Sequence, residues 1–191
     1  MSKCPFCSKD SLGERIILET DTLLMVSDAY PVVDGHMLIL NKQHITSFGH
    51  ARNKQRDEVC KLMQYLAPKF SSLGDELIFF EHGNMFENAG SNPSIDHAHI
   101  HVLPTSKKLG SFFPADRIII DFRGLGNLVS KMSYYFFWEI SSGLSFAGPD
   151  SDIESQFIRK IAGDDDWNWR IGNCLSRGML KNTKLLRRLL V

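Results

Sequence analysis

The spacing of apolar residues changes character along the first hundred positions. "RIILE" and "TLLMVS" are short apolar runs separated by Thr20-Asp21 and closed by the Pro31 and Asp34-Gly35 turn signals, a pattern that predicts two strands at about residues 14–19 and 22–28. "GHMLILNK" predicts a third. From Ser47 to about Phe70 the period becomes helical: Val59, Met63, Leu66 and Phe70 share one side, while Arg52, Lys54, Arg56 and Asp57 occupy the polar first half. Pro68 is expected to kink or end that helix, because its ring removes a backbone donor. "ELIFFEHGN" is a fourth strand, "NMFENAGSNPS" a turn-rich connection, and "HAHIHVLP" a fifth strand. The expected fold is α+β: an antiparallel sheet of approximately five strands with a long helix on one face, covering residues 1–104.

Residues 105–191 read as a C-terminal α/β elaboration packed on that core in the same globular unit. "FFPADRIIIDF" and "SYYFFWEISSGLSFAG" predict strands, with "GLGNLVSKM" as a short helix between them. "SDIESQFIRKIAG" predicts a helix capped by Asp152 or Ser151, with Ile153, Phe157, Ile158 and Ile161 on one side. The final "NTKLLRRLLV" is amphipathic, with Leu185, Leu186, Leu189 and Leu190 opposite Lys184, Arg187 and Arg188. In a chain with no excess charge we read it as a packed helix with a solvated basic face, not as a membrane anchor.

Composition narrows the function classes. The 191 residues suffice for a sizeable core without disulfides. Lys plus Arg and Asp plus Glu number 22 each, so no global field favours nucleic acid or an anionic membrane, and an anionic ligand must be held by placed donors. No apolar run approaches the ~18 residues of a membrane span. "MSKCPFCSKD" has no apolar signal region, and the four cysteines imply no disulfide framework, so we expect a cytoplasmic protein.

The chemistry concentrates in "DHAHIHVLP". On a strand, His97, His99 and His101 point to one face and Ala98, Ile100 and Val102 to the other. A lone strand histidine is ordinarily structural. Three in alternation bring no packing gain over Val or Thr, so they point to function. Two chemistries fit: zinc held by the rings with an open position for water, or attack of a neutral imidazole on phosphorus. Separately, Cys4 and Cys7 form a Cys-x-x-Cys pair with no thioredoxin-like βαβ pattern around it, which favours metal ligands over a redox couple. Two thiolates need two further ligands to close a tetrahedral site.

"HAHIHVL" resembles the His-x-His-x-His-x-x signature, with apolar x, of the histidine-triad superfamily of nucleotide hydrolases and transferases. "CPFC", "SDAYPVVDGHMLILNKQH" and "NAGSNPSID" are similar to further segments of that family and occur in its order, so the resemblance covers about residues 4–104. With His at all three positions and "HVLP" following, the chain most resembles the dinucleoside polyphosphate hydrolases. The resemblance implies that His99 attacks the α-phosphorus to form a nucleotidyl-histidine, that His101 serves the phosphate oxygens and leaving group, and that Asp28 accepts the ribose hydroxyls. It places Ser94 and Asn88 at the phosphates. The stretch from Asn88 to the triad is about two residues shorter than the family pattern, and Pro93 stands where Gln is common. His44 and His97 are implied as the zinc ligands that complete Cys4 and Cys7, and Mg is a possible companion of the substrate phosphates. Less specifically, the tail resembles those of larger triad hydrolases, which would bring Gln156 or Arg159 to the phosphates. The bland alternative is an exposed helix face with Trp167 and Trp169 as anchors.

We therefore expect a nucleotide hydrolase or transferase acting on a phosphoanhydride or phosphoramidate bond, with a dinucleoside polyphosphate as the expected substrate and no nucleic-acid partner, and with a homodimer possible. The competing readings are a metallohydrolase that uses the triad as zinc ligands and a nucleotide-binding sensor without turnover. His36 reads as structural, and His82, beside Glu81, as packing or support behind the site.

Overall fold

The computed structural model describes residues 4–71, 76–84, 95–129, 133–163 and 177–190. The five runs of the first hundred residues become β1 (Ile16–Glu19), β2 (Leu23–Ser27), β3 (Met37–Asn41), β4 (Glu76–Gly83) and β5 (His99–Thr105). Three later strands, β6 (Ile118–Ile119), β7 (Tyr134–Glu139) and β8 (Leu144–Pro149), extend the same sheet in the order β1-β2-β3-β5-β4-β7-β8-β6. Every neighbouring pair is antiparallel. The fold is the expected α+β sheet with a long helix on one face and a C-terminal elaboration.

β2 and β3 each open with four apolar residues because both of their faces are covered, and all five residues of each, Ser27 and Asn41 included, are buried. On one face lies α2 (Asn53–Ser71), whose Val59, Met63, Leu66 and Phe70 pack against Met25, Ile39, Phe79, Ile100 and Val102. The tail helix shares this face. We number α1 (Lys9–Leu12), α3 (Gly126–Val129), α4 (Phe157–Ala162) and α5 (Arg177–Leu190) in chain order. Leu186 and Leu190 of α5 join the α2 core, while Lys184, Arg187 and Arg188 are exposed. Among the described residues no helix is long and apolar enough to cross a membrane. The opposite face carries Val26, Leu38 and Leu40 under Phe6 and Leu12, and farther along Phe80, Tyr135, Phe137 and Phe146 under Phe113, Ile153 and Ile158.

Three local expectations shift. Pro68 lies inside α2, which closes three residues later at Ser71. The apolar "RIII" run forms only the two-residue β6, a strand that pairs with β8 alone and leaves Ile118 and Ile119 exposed. The helix expected from an Asp152 or Ser151 cap begins instead at Phe157, after a 3-10 turn at Asp150–Asp152. Gln156, at φ 66 and ψ 14, is left-handed and separates the two. Ile153 reaches the core from extended backbone.

One turn sets up the site. Gly35 has φ 86, and a Cβ there would fall 2.8 Å from Pro104 Cγ, so the turn before β3 requires glycine. Its N–H donates to Asn182 Oδ1 at 2.6 Å. Asn182 Nδ2 in turn donates to Ser27 Oγ at 2.9 Å and to the His36 carbonyl at 2.7 Å. A fully buried side chain of α5 thus ties the end of β2 to the start of β3.

Candidate active site

The N-terminal cysteines fold back onto the residues just before β5. Cys4 Sγ is 3.4 Å and Cys7 Sγ 3.5 Å from His97 Nδ1, and Cys7 Sγ is 3.2 Å from His44 Nδ1. The four ligand atoms all lie within 4.8 Å of one another. His97 Nε2 faces the Asn41 carbonyl at 2.7 Å, which only accepts, so the ring proton belongs on Nε2 and the Nδ1 lone pair looks toward the sulfurs. In a tetrahedral zinc site with bonds of about 2.3 Å to sulfur and 2.0 Å to nitrogen, a sulfur and a nitrogen ligand lie about 3.5 Å apart. The observed separations match that edge. Burial and the neighbouring Cys4 push the Cys7 thiol up to about 11, and a bound cation would reverse that preference. Donor set and geometry both fit a zinc-type ion.

The other two triad rings lie on the face opposite α2. His99 Nδ1 is 2.7 Å from the His97 carbonyl and so carries the proton, leaving the lone pair on Nε2. Burial holds this ring below the ordinary histidine value, against the opposing pull of the His97 carbonyl, so it is neutral near pH 7. His101 is fixed through a second ring. The Val32 N–H donates to His36 Nδ1 at 3.3 Å, which places the His36 proton on Nε2, 2.9 Å from His101 Nδ1. His101 must therefore accept at Nδ1 and present an N–H at Nε2. Burial drives His36 down to about 4, and burial together with His36, His99, Arg159 and His82 drives His101 well below its usual value. Side by side, with ring centroids 5.3 Å apart, stand an imidazole lone pair and an imidazole donor.

Asp28, at the end of β2, is buried. Its Oδ1 accepts from the Tyr30 N–H at 2.7 Å and from Arg159 at 3.3 Å, and its Oδ2 stands 3.6 Å from His36 Nε2. Burial opposes its charge, but His36, Arg159 and the Tyr30 N–H more than offset this and hold the carboxyl below its ordinary value. Arg159 reaches from α4 and is also buried; its other terminal nitrogen donates to the Tyr30 carbonyl, and its Nε has no hydrogen-bond partner among the described residues. A cleft of about 220 Å³ opens between these groups, lined by Phe6, Leu38, Asp28, His99, His101 and Arg159, with Gln156 also on its wall. Both tail residues expected near the phosphates thus border the triad cleft, although Arg159 spends its two terminal nitrogens on the protein. Asn88 and Ser94 lie outside the described residues.

The family model of the HIT domain matches residues 10–108, more than half of the chain. The chain belongs to the HIT family. That family comprises nucleotide hydrolases and transferases, the class that the motif resemblance implied. Among curated relatives, this HIT chain is 29% identical over 108 residues to an uncharacterized HIT-like protein of Mycoplasma genitalium, covering 54% of this chain and 73% of the relative. It is 24% identical over 138 residues to the adenosine 5′-monophosphoramidase of Candida albicans, covering 69% and 90%. Among solved structures, the histidine triad nucleotide-binding protein of Candida albicans aligns with a TM-score of 0.48 at 21% identity, over 68% of this chain and 94% of that one.

His36 and His82 gain most from the structure. His36 read as structural from its strand-start position, although it lies within a family-like segment, and its hydrogen bond to His101 crosses between strands that are far apart in sequence. The potential ligand groups among the described residues put His97 with Cys4, Cys7 and His44, and His101 with Asp28 and His36, and leave His99 in neither. The three rings of the HIT motif do not converge on one point.

Proposed function

We propose that this HIT protein cleaves a nucleoside phosphate at a phosphoanhydride or phosphoramidate bond through a nucleotidyl-His99 intermediate. The observation that carries the reading is the 2.7 Å contact of His99 Nδ1 with the His97 carbonyl, which leaves an Nε2 lone pair on a neutral ring beside the cleft. Such a nucleophile splits one hard displacement by water into two easier ones. As Nε2 bonds phosphorus, the His101 Nε2–H donates to the phosphate or leaving group, and Asp28 Oδ2 takes a sugar hydroxyl. Ser94 and Asn88 enter this reading through the motif alone. Cys4, Cys7, His44 and His97 would hold a structural zinc ion, and these residues tie the N-terminus to the backbone that carries the His97 carbonyl behind His99.

The substrate we favour is a nucleoside 5′-phosphoramidate or a dinucleoside polyphosphate. Each carries an α-phosphorus whose leaving group departs readily, a polyphosphate as it stands and an amine once its nitrogen is protonated, and a Candida albicans relative is a monophosphoramidase. The metallohydrolase alternative finds no support in a triad divided between two clusters. Incubation with α-labelled nucleotide substrate, followed by denaturation, should leave acid-labile label on the wild-type chain and none on His99→Ala. Turnover by His99→Ala at the wild-type rate would remove the covalent reading.

A further inference from the structure

His82 and Asp150 form a buried pair at the edge of the triad that the reading above does not use. Phe80 and His82 lie on the same face of β4, and Phe80 is registered against His101 of β5, which places His82 one step along, toward His99. His82 Nε2 donates to Asp150 Oδ1 at 2.5 Å; both residues are 8% exposed. Asp150 comes from the 3-10 turn after β8, outside the region matched by the family model. With the Nε2 proton of His82 committed to Asp150, Nδ1 is the ring atom left to offer a lone pair, and no hydrogen bond joins it to a described residue. A second cavity of about 20 Å³ is lined by His82, His99, His101, Gln156 and Arg159 on its polar side and by Phe80, Phe157 and Ile158 on its apolar side. That is room for about one water molecule, with the histidines as its polar partners. The left-handed Gln156 closes it on the side of α4.

We propose that His82, oriented by Asp150, is the general base that delivers water to the nucleotidyl-His99 intermediate. The inference rests on the covalent reading and assigns its second step. Water oxygen bonds phosphorus while one of its protons passes to His82 Nδ1. The phosphorus–Nε2 bond breaks, and its electron pair returns to His99, which is again neutral with its proton on Nδ1. The imidazolium formed at His82 is stabilised by the Asp150 carboxylate and returns its proton to solvent after the nucleotide departs. The dyad makes water the preferred acceptor, so the reaction class is hydrolysis.

The test is stopped-flow release of a fluorescent amine from a nucleoside 5′-phosphoramidate, with the nucleotidyl-enzyme measured in parallel by α-label. In His82→Gln the first step should survive, with a burst of about one amine per chain. Steady-state turnover should fall about a hundredfold or more, and label should accumulate on the protein. Asp150→Asn, which leaves the ring in place, should show the same split more weakly, and it decides the matter should His82→Gln fail to fold. Equal loss of burst and turnover, or wild-type turnover in both variants, overturns the role of His82 while leaving the labelled intermediate standing. Absence of label on wild-type chain that turns substrate over overturns both steps together.

Discussion

Arg159 joins the tail to the core through a charge pair, and its replacement gives a stability change that can be worked from the contacts. In Arg159→Met the volume is roughly kept, but Asp28 loses the 3.3 Å guanidinium contact while remaining buried, and among the described residues it keeps the short bond from the Tyr30 N–H. At an effective dielectric near 20, the gross attraction at this distance is about 5 kcal/mol. Removing one partner of a buried pair ordinarily costs about 3–5 kcal/mol. The Nε of Arg159 is buried without a partner among the described residues, and losing it returns about 1–3 kcal/mol of desolvation. The expected net loss is about 2–3 kcal/mol, and Asp28→Asn should lose a comparable amount by stranding the guanidinium. In Asp28→Asn/Arg159→Met neither charge is stranded, so the double variant should be no less stable than the weaker single one, with a coupling energy of about 2 kcal/mol. Urea unfolding followed by circular dichroism, with unchanged slopes, measures all four corners of the cycle. A coupling below about 0.5 kcal/mol would show that α4 is held by packing alone.

Three further outcomes follow from the site. Elemental analysis should find one zinc per chain, and slow chelation, or Cys4→Ser, should lower the melting temperature while turnover per folded molecule holds; immediate loss of turnover without unfolding would contradict a structural ion. His36→Phe removes the donor that fixes the His101 tautomer, so kcat should fall about a hundredfold or more with KM little changed, and an unaltered kcat would refute the relay. Burial depresses His36, so its stabilising contribution is complete above its ordinary value near 6.5 and is lost as pH falls through about 4. Burial raises Glu81 to about 7, so its contribution is complete below 4.5 and is lost as pH rises through 7. Thermal melts of Glu81→Gln should therefore show a steeper loss on acidification from pH 6.5 to 4 than the wild type, and parallel curves would refute this opposition.

Local periodicity carried the core. β1 to β5 and α2 emerged from alternation and helical spacing because each buries one face, or both, and leaves no other use for its apolar residues. The metal cluster and the triad were legible because Cys and His are costly choices for packing. Partners chosen across the sheet were not legible: nothing near His36 announces His101, and nothing near His82 announces Asp150. The left-handed Gln156 was hidden as well, since Ile153, Phe157 and Ile161 mimic one continuous helix although Ile153 reaches the core by another route. The turn of the chain at Gln156 is what delivers Arg159 to Asp28.

The clasp formed by Asn182 has a consequence for biosynthesis. Every histidine and cysteine that we place in the chemistry leaves the ribosome well before residue 182, yet the loop bearing Asp28 and His36 gains its Asn182 bonds only when α5 arrives. A nascent or prematurely stopped chain would carry the whole motif without this clasp, so the proposed site would be completed late, by an amide that bonds the turn behind it.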